Sequence, residues 1–264
     1  MKRRALLGLA ALAGSALRAA PPADGGWPQA DLLLLGEQHD ARAHQHLSER
    51  VTTELARQGR LAALALEMAE RGRSTAGLPR DADEAAARAA LDWQEAGWPW
   101  AAYGPIAMAA VRAGVPVHGA NLPRAAMRES MGDAALDAAV PAPVYRRLRD
   151  DVRDGHCGLL PDERLPAMTR IQIARDRAMA EVLRGLATPG RIALLVCGVN
   201  HADATRGVPL HLIGSGLVLR TVRLGAGAAM DERTPGFDET WATPPLPAKD
   251  HCAELKQRLD GPKA

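Results

Sequence analysis

The hydrophobic pattern begins at Asp31–Leu35, where four leucines run unbroken to Gly36. A short apolar run of this kind suits a strand buried on both faces, as in a parallel sheet. Leu61–Met68, Val115–Gly119 and Ile192–Cys197 repeat the pattern, and Val208–Ile213 and Leu217–Val222 are weaker versions of it. Between these runs the apolar positions take helical spacing. Asp40 is placed to cap a helix reaching Gln58, with Leu47, Val51 and Leu55 four apart on one face and Gly59 as the stop. Asp83–Ala90, Pro105–Ala113, Arg124–Ala139 and Arg164–Leu186 read as further helices, Pro105 standing at the tolerated first position of its own.

Alternating strands and helices predict an α/β fold, with a largely parallel sheet flanked by helices. The stretch 122–190 is nearly all helical and too long for a simple crossover, so it predicts a smaller helical cap subdomain. The main domain is expected over 31–224. The tail, 225–264, contains Pro235, Pro244, Pro245 and Pro247 and is expected to be irregular.

Composition adds an ordinary globular background, with 47% hydrophobic and 24% charged residues in a chain of 264. The formal charge of +2 changes meaning once the N-terminus is set apart. Lys2, Arg3 and Arg4 precede the apolar run Ala5–Leu17, the layout of a Sec or twin-arginine export signal over residues 1–20. The run is too short to span a bilayer comfortably. Without residues 1–20 the balance is 29 basic to 31 acidic residues. Residues 21–30 read as a linker. With only eight aromatics and no basic excess outside the leader, nucleic acid is not an expected partner. A periplasmic or otherwise exported protein is expected, and no cysteine before residue 157 could accept a lipid. In an oxidising compartment Cys157 and Cys252 could pair, though spacing alone does not decide it, and Cys197 reads as a buried small hydrophobe.

In parallel α/β sheets ligands bind beyond the carboxyl ends of the strands. Glu37 and His39 follow the first strand, Glu67 ends the second, Asn121 and Arg124 follow the third, and His201 follows the fourth. Gly36–His39 and Gly198–His201 share the spacing Gly-x-x-His, in which glycine is read as permitting a sharp turn that brings the imidazole back over the strand end. Two imidazoles and a carboxylate (His39, His201 and Glu67) could form a divalent metal shell with open positions, Glu37 polarising water. On the long helix, Asp176 shares a face with Gln172 and could support an imidazole, while a solvated face alongside Arg175 and Arg177 is the plainer alternative. His44 could face the same site from the first helix. His156, in a glycine-flanked loop, could swing over it, although a plain surface loop is the simpler reading of that segment.

The segments LLLLGEQHD, LALEM, WPWAAYGPI, HGANLPR, IQIARDRAMA and CGVNHADATRGVPLHL, spanning Asp31 to Ile213, together resemble the ChaN family within the TIKI/TraB/erythromycin-esterase superfamily. The resemblance implies a haem-binding protein of iron uptake, with haem as ligand. It further implies a second copy of the chain and outer-membrane or periplasmic iron-uptake components as partners. It points to Tyr103 as the axial ligand of ferric haem. By their places in the chain, His44, His156, Asn121, Arg124 and Asp176 are the further candidates to surround such a cofactor. Through the TIKI relatives it also implies the alternative, a metal-dependent hydrolase with Glu37, His39, Glu67 and His201 as catalytic residues and a divalent ion on His39, Glu67 and His201.

Overall fold

A computed structural model describes residues 29–229 and 234–260, with side chains to Gln257. The expected leader and most of the expected linker lie outside the described residues. Six strands form one parallel sheet: β1 (Leu32–Glu37), β2 (Leu61–Glu70), β3 (Val117–Asn121), β4 (Ile192–Gly198), β5 (Leu219–Ala226) and β6 (Glu239–Thr243), in the order β3-β2-β4-β1-β5-β6. The fold is α/β.

Side chains alternate across a strand, so the leucine run of β1 divides between two cores. Leu33 and Leu35 pack with Leu47, Val51 and Leu55 of α1 (Arg42–Arg57) and with Tyr103 and Ile106 of the Trp100–Arg112 helix. Leu32 and Leu34 pack on the other face with Met179, Ala180 and Leu183 of the long helix Leu165–Leu186. In chain order the helices are α2 (Glu84–Ala90), α3 (Trp100–Arg112), α4 (Arg124–Gly132), α5 (Ala142–Gly155), α6 (Leu165–Leu186), the short α7 (Val199–Ala202) and α8 (His251–Asp260). A third apolar cluster joins Leu148 of α5 to Ile173, Ala174 and Ala178 of α6 and to Leu122, Leu136 and Val140. Thus α6 is more than a part of the cap: one side closes the sheet and the other carries α4 and α5.

Several expectations give way to packing. Val208–Leu212 is a 3-10 turn, because its apolar residues turn into the core beside α6 instead of pairing along the sheet edge. The tail is not irregular throughout: β6 adds to β5, burying Trp241, and α8 follows. Asp40 caps nothing; the cap position of α1 is Ala41, with no side-chain bond. The α3 helix starts five residues before Pro105, which sits inside it. Proline has no N–H for the carbonyl four residues earlier, and that carbonyl, Ala101 O, accepts instead from Arg42 Nη1 at 3.0 Å.

Candidate functional site

The carboxyl ends of β1 and β2 place their acids on opposite faces of one sheet edge, with the end of β4 between them. Glu37 continues the Leu33/Leu35 side, where Tyr103 and Gln45 wait. Glu67 continues the side of Ala65, toward α6. Near Glu67 the pairing of β2 with β3 slips between Leu66 and Glu70, a bulge of the kind that re-aims side chains beside sites.

His39 spans the two acids. Its Nδ1 lies 2.9 Å from Glu37 Oε1 and its Nε2 4.0 Å from Glu67 Oε1. The edge of the ring meets Trp98, with centroids 4.8 Å apart. The Tyr103 hydroxyl donates to Glu37 Oε1 at 2.6 Å, and Gln45 Nε2 donates to Glu37 Oε2 at 3.1 Å and to His39 O at 3.2 Å. Across the edge, Glu67 Oε2 accepts from the Gly198 N–H at 2.6 Å, while Oε1 accepts from Arg175 and lies 3.6 Å from His201 Nε2. His201 Nδ1 in turn lies 2.6 Å from Asp176 Oδ1. Arg175 Nε donates to Asn121 Oδ1 at 2.9 Å.

The paired glycines serve a purpose other than a turn, since neither Gly36 nor Gly198 has a positive φ. A Cβ on Gly198 would stand 2.9 Å from His39 Nε2, and one on Gly36 would stand 2.9 Å from Ala202 Cβ and 3.0 Å from Val199 Cα. Each Gly-x-x-His segment therefore makes room for the other, and the close approach brings the two imidazoles around Glu67.

The electrostatics follow from these neighbours. Burial pushes Glu67 up, but His201, Arg175, His39 and the Gly198 N–H together bring it down to about 2. His39 is lowered by burial yet raised on balance by Glu37 and Glu67. Asp176 is raised, since burial outweighs the attraction of His201. Burial and the charge of Glu37 push the Tyr103 phenol far above its usual range, so it stays protonated and donates.

Not every expected residue joins this set. His44 is fully buried; its Nδ1 accepts from the Gln38 N–H at 2.9 Å and its Nε2 donates to Thr243 Oγ1 at 2.9 Å, which leaves it no coordinating atom. Arg124 is exposed on α4, and it is its backbone N–H that reaches Glu70 Oε1, at 3.1 Å. Asn121 is spent on Arg175 and on the Leu122 N–H. Tyr103 is 1% exposed and turned to Glu37, which does not suit an iron ligand. Nor do His39, Glu67 and His201 make a metal shell: among the described residues no group of three His, Cys, Asp or Glu is arranged to hold an ion. The physical reason is Arg175, whose cationic guanidinium already occupies Glu67. Arg175 and Gln45 are the residues that sequence reasoning missed. Arg175 sits beside Asp176 on α6, and adjacent helical positions straddle a site placed between them.

Beside this edge lies a cavity of ≈ 180 Å³ between α5, α6 and α7, lined by Leu148, Val152, His156, Gln172, Asp176 and His201 among others. His156 Nδ1 is 2.7 Å from the Val152 carbonyl, so that nitrogen donates, and in the neutral ring Nε2 keeps its lone pair.

Known proteins agree with the fold. Residues 26–212 match the family model described as haem-binding uptake, Tiki superfamily, ChaN. The chain belongs to the ChaN family. Among solved structures, the ChaN of Campylobacter jejuni, described as showing cofacial heme binding, superimposes with a TM-score of 0.62 at 26% identity, covering 76% of this chain and 83% of that one. No curated protein gives a match to the chain. In this member of the ChaN family the paired motifs thus sit on a doubly covered parallel sheet, next to a cavity with a histidine in its wall.

Proposed function

We propose that the chain binds haem at the α5–α6 cavity and serves haem or iron acquisition outside the cytoplasm. The observation that carries this reading, beside family membership, is His156: its tautomer is set by Val152, and its bare Nε2 belongs to a residue that lines the cavity. A neutral imidazole with its second nitrogen anchored is the ordinary haem ligand. Leu148 and Val152 supply apolar wall, and Leu159, 42% exposed, extends apolar surface close by in sequence. The bound group would supply the iron; the protein's part is to orient one ligand and shelter one edge. The cavity is smaller than the ~300–1,000 Å³ pockets that enclose a ligand, so most of the macrocycle would lie outside it. A second copy of the chain is the partner that would cover it, in keeping with the cofacial arrangement described for the Campylobacter protein. Haem titration tests the reading: a Soret band should develop at micromolar hemin, vanish in His156→Ala and survive in Tyr103→Phe. No spectral change in the unmodified protein would defeat the proposal.

A second reading, hydrolysis, is favoured by the His201–Asp176 pair facing the buried Glu67. On this reading His201 takes a proton from water, Asp176 holds the resulting imidazolium, and the acids work without a metal ion. Hydrolysis of activated esters that resists a chelator and is lost in His201→Ala would support it; no turnover above that variant would end it.

A further inference from the structure

The end of the tail returns to the site through α8. Cys252, in the first turn of α8, forms a disulfide with Cys157, with Cα atoms 5.6 Å apart, across 95 residues. Its neighbour His251 places Nε2 3.6 Å from Asp40 Oδ2. Cys157 directly follows His156 of the cavity wall, and Asp40 directly follows His39 of the strand-end site. Two consecutive residues of α8 therefore join the two loops that carry these histidines.

Little else holds α8 to the body. Among its described residues none belongs to a buried apolar cluster. The Asp250 carboxylate caps its own first turn, and Lys249–Glu254 is a local pair. The His251–Asp40 contact is well exposed, and such pairs hold weakly. The segment before it, from Pro244 to Asp250, has no regular structure. The covalent bond is thus the principal tie. It is anchored where the backbone turns left-handed at the end of α5: Cys157 has φ 55°, one of two non-glycine residues in that region among those described, between His156 and Gly158 at φ 66°. A residue with a Cβ adopts that conformation at a cost that the surroundings must impose.

We propose that the Cys157–Cys252 disulfide is a redox strap that fixes the His156 loop, so that the oxidised chain holds haem and the reduced chain releases it. This rests on the haem reading above. The switching step is thiol–disulfide exchange with a dithiol reductant. One thiolate of the dithiol attacks a sulfur of the bridge to give a mixed disulfide, and the second displaces the remaining cysteine. Two electrons and two protons pass to Cys157 and Cys252, and the reductant leaves as a disulfide. Cys197, buried in β4, takes no part.

The test compares three full-length proteins: oxidised, reduced and alkylated, and Cys252→Ser. Amide hydrogen exchange in 155–159 and 244–257 should quicken at least tenfold in the second and third, with β1 and β4 unchanged. Hemin titration of the same samples, free of reductant, should show at least fivefold weaker binding. Unchanged exchange in both segments would overturn the strap, and so would faster exchange with hemin affinity unaltered within twofold. If the oxidised protein takes up no hemin, the haem reading fails separately, and exchange alone decides whether the disulfide positions the loop.

Discussion

Gly198 lies beneath the His39 imidazole: a Cβ built on it would stand 2.9 Å from Nε2. Two residues from separate strand ends thus share one volume, and the histidine can reach between Glu37 and Glu67 only because the fourth strand ends in glycine. Gly36 plays the reciprocal part against Ala202 and Val199. The two substitutions to alanine should differ. In Gly198→Ala the obstacle is the end of a side chain, so the ring is displaced and stability falls by about 1 kcal/mol; in Gly36→Ala it includes backbone, and the loss should be nearer ~3 kcal/mol. Thermal denaturation with NMR of the His39 ring checks both, and a larger loss in Gly198→Ala would contradict the assignment.

Glu67 should govern acid stability. Its carboxyl is held at about 2, against 4.5 when free. A depressed acid stabilises the fold above its unfolded value and loses that contribution as pH falls toward its folded value. The loss should therefore fall between about pH 4.5 and 2, and be on the order of 3 kcal/mol. Urea unfolding of the native protein and of Glu67→Gln, followed across that window, should show the slope in the former and little of it in the latter.

Removing Glu67 altogether strands Arg175, whose side chain is 16% exposed. A half-buried guanidinium left without its counter-charge should cost about 3–5 kcal/mol in Glu67→Ala, and Glu67→Leu with Arg175→Met should recover part of it. Equal stability of the single and double variants, measured by denaturant midpoint, would show that the charges are not coupled.

His44 supplies a second acid-sensitive group of different origin. Burial lowers it to about 4, from 6.5. The unfolded chain takes up the proton first, so stability should decline as pH falls from about 6.5 to 4. NMR titration should find His44 neutral until the pH nears 4, while His39 titrates above 6.5, given its raised value. Protonation of His44 near 6.5 would show that its ring is not sealed.

Tyr103→Phe should lower stability by about 1–3 kcal/mol, because Glu37 Oε1 loses its 2.6 Å donor in a buried place. A change below about 0.5 kcal/mol in chemical denaturation, the scale of an ordinary surface substitution, would mean that the hydroxyl is dispensable to the cluster.

The parallel sheet was legible in the apolar runs because strands buried on both faces must be apolar at every position. The strand-end acids and imidazoles were legible because such folds bring those ends to one edge. Arg175 was not: on a helix of mixed polarity nothing in the spacing separates a guanidinium that binds Glu67 from one that faces water. Tyr103 is singled out only by the family resemblance, which does not reveal which way a hydroxyl points. The proline-rich tail concealed β6, whose buried Trp241 depends on a partner strand already in place.

The alternation of β1 to β4 with helices, the division of the β1 leucines between two faces and the pairing of motifs follow from the chain alone, since they rest on local periodicity. Which atoms meet was decided by tertiary structure: His39 over Gly198, Arg175 on Glu67, and Cys252 beside the His156 loop. Those contacts join residues dozens to more than a hundred positions apart. Their geometry depends on how closely packed elements approach, a quantity that no local pattern encodes.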